Sequence, residues 1–340
     1  MRARTRRAHG TGRLRLVTYN VLFGGRRRES LITRTLERLD ADVIALQEVC
    51  ELSLLESLAS RFHMEALVGE PSEAGSVMRT AILTRLPVRS WRNVQHRGRM
   101  LRGHLHCELE TGGKEIPLIA VHCLHLAARF GERAKGEARR MRELSAVLEG
   151  IERGPELPHV LLGDFNSLSP GDTVAATRFF RRYNELRRAG LIVNGPNGTM
   201  VAVTRDGHNE AQVDAALRAA GIDERLIVGV PMLPRVIAPL MGSVPVSPAL
   251  DGFLGRFIER WTMERVHSLG YIDAFRRVHP RAHGYTVATW LPSARVDYVL
   301  TTPDLSKRIL NSDVVGSRTW PDPDAAVASD HFPVIADLVV

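Results

Sequence analysis

Through most of its length the chain alternates short aliphatic and β-branched runs with stretches whose apolar residues recur every three or four positions. Eight runs read as strands: LRLVTYNV (14–21), DVIALQEV (42–49), TAILTRL (80–86), GHLHCELE (103–110), IPLIAVHC (116–123), HVLLGDFN (159–166), RVDYVLTT (295–302) and PVIADLVV (333–340). Three segments carry the helical period: RRRESLITRTLERLD (26–40), ELSLLESLASRF (51–62) and GERAKGEARRMRELSAVLEGIER (131–153), the last stopped by Gly154–Pro155. The order β-α-β-α-β-β-β-α-β fits neither a helical bundle nor a β-sandwich. It predicts sheets covered by helices, a layered α/β architecture.

Residues from about 170 to 270 break this rhythm. They open with SPGD, pass through the turn-rich NGPNGTM (194–200) and a helical stretch NEAQVDAALRAAG (209–221), and continue into PMLPRVIAPLMGSVPVSPAL (231–250), broken repeatedly by proline. The amphipathic GRFIERWTMERVHSL (255–269) closes the segment. A helical elaboration packed on the core and a wall or lid beside a site explain this insertion equally well.

The chemistry lies where apolar strands end. The first ends in Thr18-Tyr19-Asn20, the second in Gln47-Glu48, another in Val121-His122, and HVLL runs into Gly163-Asp164-Phe165-Asn166. Later, Asp297 enters a strand and Ser329-Asp330-His331 precedes the last one. One polar residue at a strand end is an ordinary cap. Six clusters on successive strands are different, because strands of one sheet bring their ends together, and ligand sites of α/β proteins form at such edges. Glu48 and Asp330 offer hard carboxylate oxygens and Asn20 an amide oxygen, a set suited to Mg²⁺ or Mn²⁺ rather than zinc. His122 and His331 can donate to a phosphoryl oxygen, and Asp297 can orient an imidazole. Asp164 is a candidate base for an attacking water, with Asn166 holding it.

Composition narrows the class without fixing the substrate. Apolar residues are 44% and charged residues 25% of the 340, ample for a soluble globular protein. No apolar run reaches the roughly 20 residues of a membrane span. The basic opening MRARTRRAHGTGR leads into a strand pattern rather than an apolar leader, so residues 1–13 are expected to form a disordered arm on a cytoplasmic protein. Cys50, Cys107 and Cys123 are scattered in strand-like surroundings and read as reduced thiols. The net charge of +8 favours phosphate-bearing partners. Only Lys114, Lys135 and Lys307 are lysines, however, and so heavy an arginine bias also arises from codon usage.

The motifs TYNV, LQEV, VHCLH, GDFN, RVDYVL and SDHFPV stand in the order found in the endonuclease/exonuclease/phosphatase superfamily, which the chain resembles over about 14–166 and 272–340. The resemblance implies a four-layer α/β sandwich with two central mixed β-sheets flanked by helices, as in DNase I-like proteins. It implies a single domain over 14–340, with the insertion at 170–270, and an active site at one edge. By similarity Asn20, Glu48 and Asp330 lie at a metal, Asp164 and Asn166 handle water and phosphate, His122 braces the phosphoryl group, and Asp297 with His331 forms an Asp–His pair.

The implied activity is Mg²⁺- or Mn²⁺-dependent phosphodiester hydrolysis, nuclease-like, with nucleic acid among the expected partners. A phosphatase or phosphodiesterase acting on a small or lipid phosphoester is the alternative, and an inactive binding module a third. Aromatics at 6% and the lack of a basic stripe interleaved with them weaken the nucleic-acid case.

Residues three apart on a strand point to opposite faces, so His122 and His125 of VHCLH cannot both serve one centre unless the strand has ended. His122 is expected to be the catalytic one and His125 an accessory loop contact. His104 and His106 share a strand face, where a structural or edge role is expected. Arg139, Arg140 and Arg142 read as a solvated helix face, and Trp290 as a core aromatic. Where related proteins carry a glycine-rich GNAILSR this chain reads VMRTAILTRLP, so the loop beside the site differs from theirs.

Overall fold

In the computed structural model, which describes residues 12–25, 27–72, 76–128, 134–188, 192–194, 200–202 and 245–340, two six-stranded mixed sheets lie face to face. The first contains β1 (Arg13–Asn20), β2 (Val43–Val49), β3 (Glu65–Val68), β4 (Arg79–Thr84), β13 (Ile309–Val314) and β14 (Val334–Val339), in the order β13-β14-β1-β2-β4-β3. The second contains β5 (Val88–Val94), β6 (His104–Glu110), β7 (Leu118–His125), β8 (His159–Asp164), β11 (Ile272–Asp273) and β12 (Asp297–Thr301), in the order β11-β12-β8-β7-β6-β5. A short hairpin, β9 (Ile192–Asn194) with β10 (Met200–Ala202), stands apart.

Each large sheet has one parallel pair at its centre, β1 with β2 and β7 with β8. An antiparallel strand flanks each pair, β14 beside β1 and β12 beside β8. The carboxyl ends of β1, β2, β7 and β8 therefore share one rim with the starts of β12 and β14. That rim is the only place where the six polar motifs can meet.

Helices cover the outer faces. On α1 (Glu29–Leu39) the buried set Ile32, Thr35, Leu36 and Leu39 follows the helical period, and the helix stops at Asp40 in the left-handed region (φ 46°). On α2 (Leu52–Phe62), Leu54, Leu55, Leu58 and Phe62 do the same. Both stripes join the main core between and behind the sheets. The second sheet is covered by α3 (Ala134–Glu152), whose Leu144, Val147 and Leu148 pack with Leu124, Leu161 and Leu300, and by the helix Trp261–Ser268 through Met263 and Val266.

All eight expected strands are present, with ends shifted by a few residues. Six more strands appear among the described residues: the hairpin β9–β10 and the sheet-edge strands β3, β5, β11 and β13, which are two to seven residues long or carry polar residues that masked the strand period, as in VRSWRNV. The amphipathic 255–269 segment forms a helix only over Trp261–Ser268, after a separate helix Pro248–Gly255 started by the Ser247 hydroxyl, which accepts from Leu250 N at 3.3 Å. The stretch 209–221, most of 231–250 and residues 1–11 lie outside the described residues. Cys107 and Cys123 are buried thiols. Among the described residues no helix is long and apolar enough to cross a membrane.

Candidate active site

At the rim, strand register sets the spacing. Asp164 ends β8 directly between His125 on β7 and Asp297 on β12. All three side chains leave the same face, toward the first sheet. Gly163 makes this possible. It sits at φ +147°, and a Cβ there would fall 1.9 Å from Leu124 O, so only glycine lets β8 pass this close to β7. From the opposite sheet Asn20 crosses the gap: its Nδ2 donates to Asp164 Oδ2 at 3.1 Å and to Glu48 Oε1 at 3.3 Å.

Glu48 follows a register shift in β2 and adopts φ +61°, which swings its carboxylate off the sheet. Such a conformation costs a non-glycine residue about 1–2 kcal/mol, so its surroundings must hold it there. Phe23 N donates to Glu48 Oε2 at 3.0 Å. Asn166, also left-handed at φ +50°, is pinned twice: its N donates to Asp164 Oδ1 at 2.9 Å and its Nδ2 to Leu126 O at 3.0 Å.

The C-terminal motif completes the rim. His331 Nδ1 lies 2.8 Å from Asp297 Oδ2, and its Nε2 lies 3.9 Å from Asp164 Oδ2. Ser329 Oγ donates to Asn20 O at 2.7 Å, tying this segment to the end of β1. Burial opposes charge on His331, but Asp297, Asp330 and Asp164 outweigh it and raise its pKa well above the usual imidazole range. That direction favours the charged ring, with Nδ1 donating to Asp297 and Nε2 turned toward Asp164. Asp164 is pushed up to about 7, chiefly by burial, with His331 opposing and Asp297 adding to the rise. Asp330 rises to about 6, again chiefly by burial, with the Glu48 carboxylate contributing and His331 opposing.

Two features fit a divalent cation. The Glu48 carboxylate raises the cost of ionising Asp330, and both residues keep carboxylate oxygen for a hard cation. Asp164, Asp297 and His331 each bring one atom within 4.8 Å of the others, the one group of its kind among the described residues. A protonated His331 is a hydrogen-bond donor and not a ligand, however, so the Glu48–Asp330 side is the better cation seat. Asn20 is held from both ends of its amide: its Oδ1 accepts from Leu22 N at 3.0 Å, and its Nδ2 bridges the Glu48 and Asp164 carboxylates.

His122 departs from expectation. β7 continues through His125, two residues beyond the strand expected at 116–123. With the strand unbroken, His122 points to the outer face beside His104 and His106, away from the rim. It is His125 that enters the site, with Nε2 at 3.4 Å from Asp164 Oδ2 and 3.8 Å from Glu48 Oε1. Its pKa is held well below the usual value by burial, then by Arg102 and His331.

A family model described as the endonuclease/exonuclease/phosphatase family matches residues 17–331. The chain belongs to that family. Its members named in that description all hydrolyse phosphoesters. Solved structures with the same fold include an AP endonuclease from Archaeoglobus fulgidus (14% identity, covering 96% of this chain and 100% of that one, TM-score 0.57). They also include a 3' phosphatase, NExo, from Neisseria bound to a product DNA hairpin (14% identity, 96% and 99% covered, TM-score 0.52). A humanized D. rerio TDP2 is similar as well (13% identity, 97% and 100% covered, TM-score 0.53). A comparison with curated protein sequences gives no match.

Within this endonuclease/exonuclease/phosphatase site, sequence reading missed Arg102. It sits in the turn before β6, its guanidinium hydrogen-bonds the His125 ring, and its Nη1 lies 4.0 Å from Glu48 Oε1. A lone arginine in RMLRG carries no signal to distinguish it from its neighbours. The arginine of RVDY has a different task. Arg295 is buried, bonds Asp172 at 2.9 Å and Asp273 at 2.5 Å, and lies 4.5 Å above the Tyr298 ring. It thus clamps the SPGD turn to the start of β12, immediately before Asp297.

Of the arginine cluster on α3, Arg140 is buried rather than solvated. It is paired with Glu137 at 2.8 Å, and Glu137 also accepts from Ser167 Oγ and Thr262 N, each at 2.8 Å. Trp290 is partly exposed and packs against Phe179, so it is not a core residue.

Proposed function

We propose that this member of the endonuclease/exonuclease/phosphatase family hydrolyses phosphodiester bonds, with nucleic acid as its substrate. The observation that carries this reading is the meeting of two unlike groups at one rim: the anionic pair Glu48–Asp330 and the charged donor His331, with Asp164 between them. A divalent cation, Mg²⁺ or Mn²⁺, seated at Glu48 and Asp330 would supply positive charge to a phosphoryl oxygen. His331, held by Asp297, donates through Nε2 to a second oxygen as charge builds there. Asp164, anchored by Asn20 and Asn166 N, orients the attacking water and takes its proton. His125 and Arg102 present a further donor edge to the phosphate.

The relatives' names support DNA as the polymer: one is an AP endonuclease, and another is a 3' phosphatase holding a DNA hairpin. The net charge of +8 agrees in sign. A phosphomonoester at a DNA end is the second reading, favoured by the Neisseria relative.

The test compares purified protein on plasmid DNA, a 3'-phosphorylated oligonucleotide, a phosphatidyl diester and bis(p-nitrophenyl) phosphate, with Mg²⁺, Mn²⁺ or chelator. Cation-dependent cleavage of DNA, lost in Asp164→Asn, is expected. Activity that persists in chelator, or that is confined to the lipid, would overturn the proposal.

A further inference from the structure

The turn that follows β1 is bent where side chains resist bending. Leu22 and Phe23 take φ +51° and +46°, and Gly24 and Gly25 continue at +72° and +68°, so four successive residues lie in the left-handed region. Glycine accepts that region freely, but for leucine and phenylalanine it is an outlier that the surroundings must enforce. They do. Leu22 N donates to Asn20 Oδ1 and Phe23 N to Glu48 Oε2, each at 3.0 Å. Arg28, buried behind the turn, donates from Nη2 to Leu22 O at 2.6 Å and from Nη1 to Val21 O and to Ala328 O, shortly ahead of Asp330. Gly24 lies so close to Cys50 that an added Cβ would stand 3.2 Å from the Cys50 Cβ.

Of residues 21–25 only Phe23 is exposed, at 42%. Its own N–H is bonded to Glu48, so an open aromatic ring is anchored within one residue of the proposed cation seat. Among the exposed large apolar side chains of the described residues, it is the one whose backbone bonds a rim carboxylate. Neither the strain nor the open ring helps the fold, and conformations of this kind cluster at ligand-binding positions.

From this placement we propose that Phe23 is a stacking platform for the nucleobase next to the scissile phosphate, and so selects nucleic acid over smaller phosphoesters. The proposal rests on the nucleic-acid reading above and sharpens it. Every base has a π-face, so a phenylalanine ring takes any base without reading sequence. Aromatics are only 6% of the chain, and one fixed ring at the reacting bond removes the need for a long aromatic stripe. Because Asn20, Glu48 and Arg28 set the turn in advance, ordering it costs little when a base arrives. The next two residues are Arg26 and Arg27, charge that suits a phosphate backbone beside that base. Stacking is kept between bound substrate and transition state, so its loss is expected chiefly in KM.

The experiment uses the full chain with Mg²⁺ or Mn²⁺ and short oligonucleotides cleavable at one phosphodiester. The nucleotide on either side of that bond carries a base or is a stable abasic spacer. Wild type should favour the base over the spacer by about 10–100-fold in kcat/KM, mostly through KM. Phe23→Ala and Phe23→Leu should cleave the two substrates alike, and Phe23→Tyr should restore the preference. In an Asp164→Asn background, 2-aminopurine at that position should lose fluorescence on binding, and adding Phe23→Ala should remove the quenching. Should Phe23→Ala fail to fold, Phe23→Leu decides both measurements. A base preference absent from wild type, or retained in Phe23→Leu, would overturn the proposal and leave the nuclease reading standing. Wild type that cleaves other phosphoesters but no nucleic acid would overturn both. Loss of phosphatidylcholine-vesicle binding in Phe23→Leu, with base preference intact, would assign the ring to a lipid surface instead.

Discussion

β7 carries His122 to one face and His125 to the other, and His331 approaches the inner face from the loop before β14; His122 and His331 are the two buried rings treated in opposite ways. At the rim, His331 stands among Asp297, Asp330 and Asp164 and is held protonated. On the outer face, His122 has only other imidazoles and Arg92 as charged neighbours and is held neutral. Both are buried, so burial alone does not set the outcome. What decides it is the balance of neighbouring charge against desolvation: three carboxylates prevail at His331, whereas His125, 3.4 Å from Asp164 but beside Arg102 and His331, is shifted down like His122. One sheet thus separates a charged, substrate-facing centre from a neutral one by the thickness of a strand.

The largest effect is expected at the rim. Glu48→Gln or Asp164→Asn should lower turnover by about 10³-fold or more with melting temperature little changed, as a kinetic assay with a parallel thermal melt will show. Asp297→Asn, which leaves His331 without its charged partner, should cost about 10²–10⁴-fold in kcat. The comparison is tested most directly by a pair. His125→Ala should reduce kcat about 10²-fold, whereas His122→Ala should leave turnover per folded molecule unchanged. The reverse result would reinstate His122 and dismantle the face assignment.

His122→Ala should instead destabilise the fold by about 1–3 kcal/mol, read from denaturant midpoints, because His104 loses its buried hydrogen-bond partner. A smaller, graded effect is expected with pH. His104, His106, His122 and His159 all have folded pKa values below the unfolded value. The unfolded chain therefore binds more protons below about pH 6.5. Their contribution is fully present above that pH and is lost as the pH falls through it, at up to about 1.4 kcal/mol per pH unit for each ring. Asp164, Asp330 and His331, whose folded pKa values are raised, act in the opposite sense, so the outer-face contribution is read as a difference: between pH 8 and 5.5 denaturant midpoints should drop by more, relative to the shared rim contribution, in the wild type than in His106→Gln.

The polar strand ends were legible because each interrupts an apolar run, and Asp164, Asp297 and His331 are brought together as their motifs suggested. The choice between His122 and His125 was not legible from VHCLH itself. It turns on whether β7 stops at 123 or 125, and only pairing with β6 and β8 settles that. β5 was missed because VRSWRNV lies at a sheet edge, where arginines on a solvated face obscure the alternation. Arg140 looked like one more surface charge on α3. Its burial depends on Glu137 and on Thr262, a residue 122 positions further along the chain, beyond the reach of local pattern.

The strand order has a consequence for how this protein comes to life on the ribosome. β14, the last strand in chain order, lies between β1 and β13, and the loop leading into it delivers Asp330 and His331. A nascent chain that has made everything as far as residue 320 still has a gap in its first sheet and lacks Asp330 and His331 at the rim. Closure of the sheet and arrival of those groups are one event, so no partly synthesised form can cut a phosphoester before it is able to hold its shape.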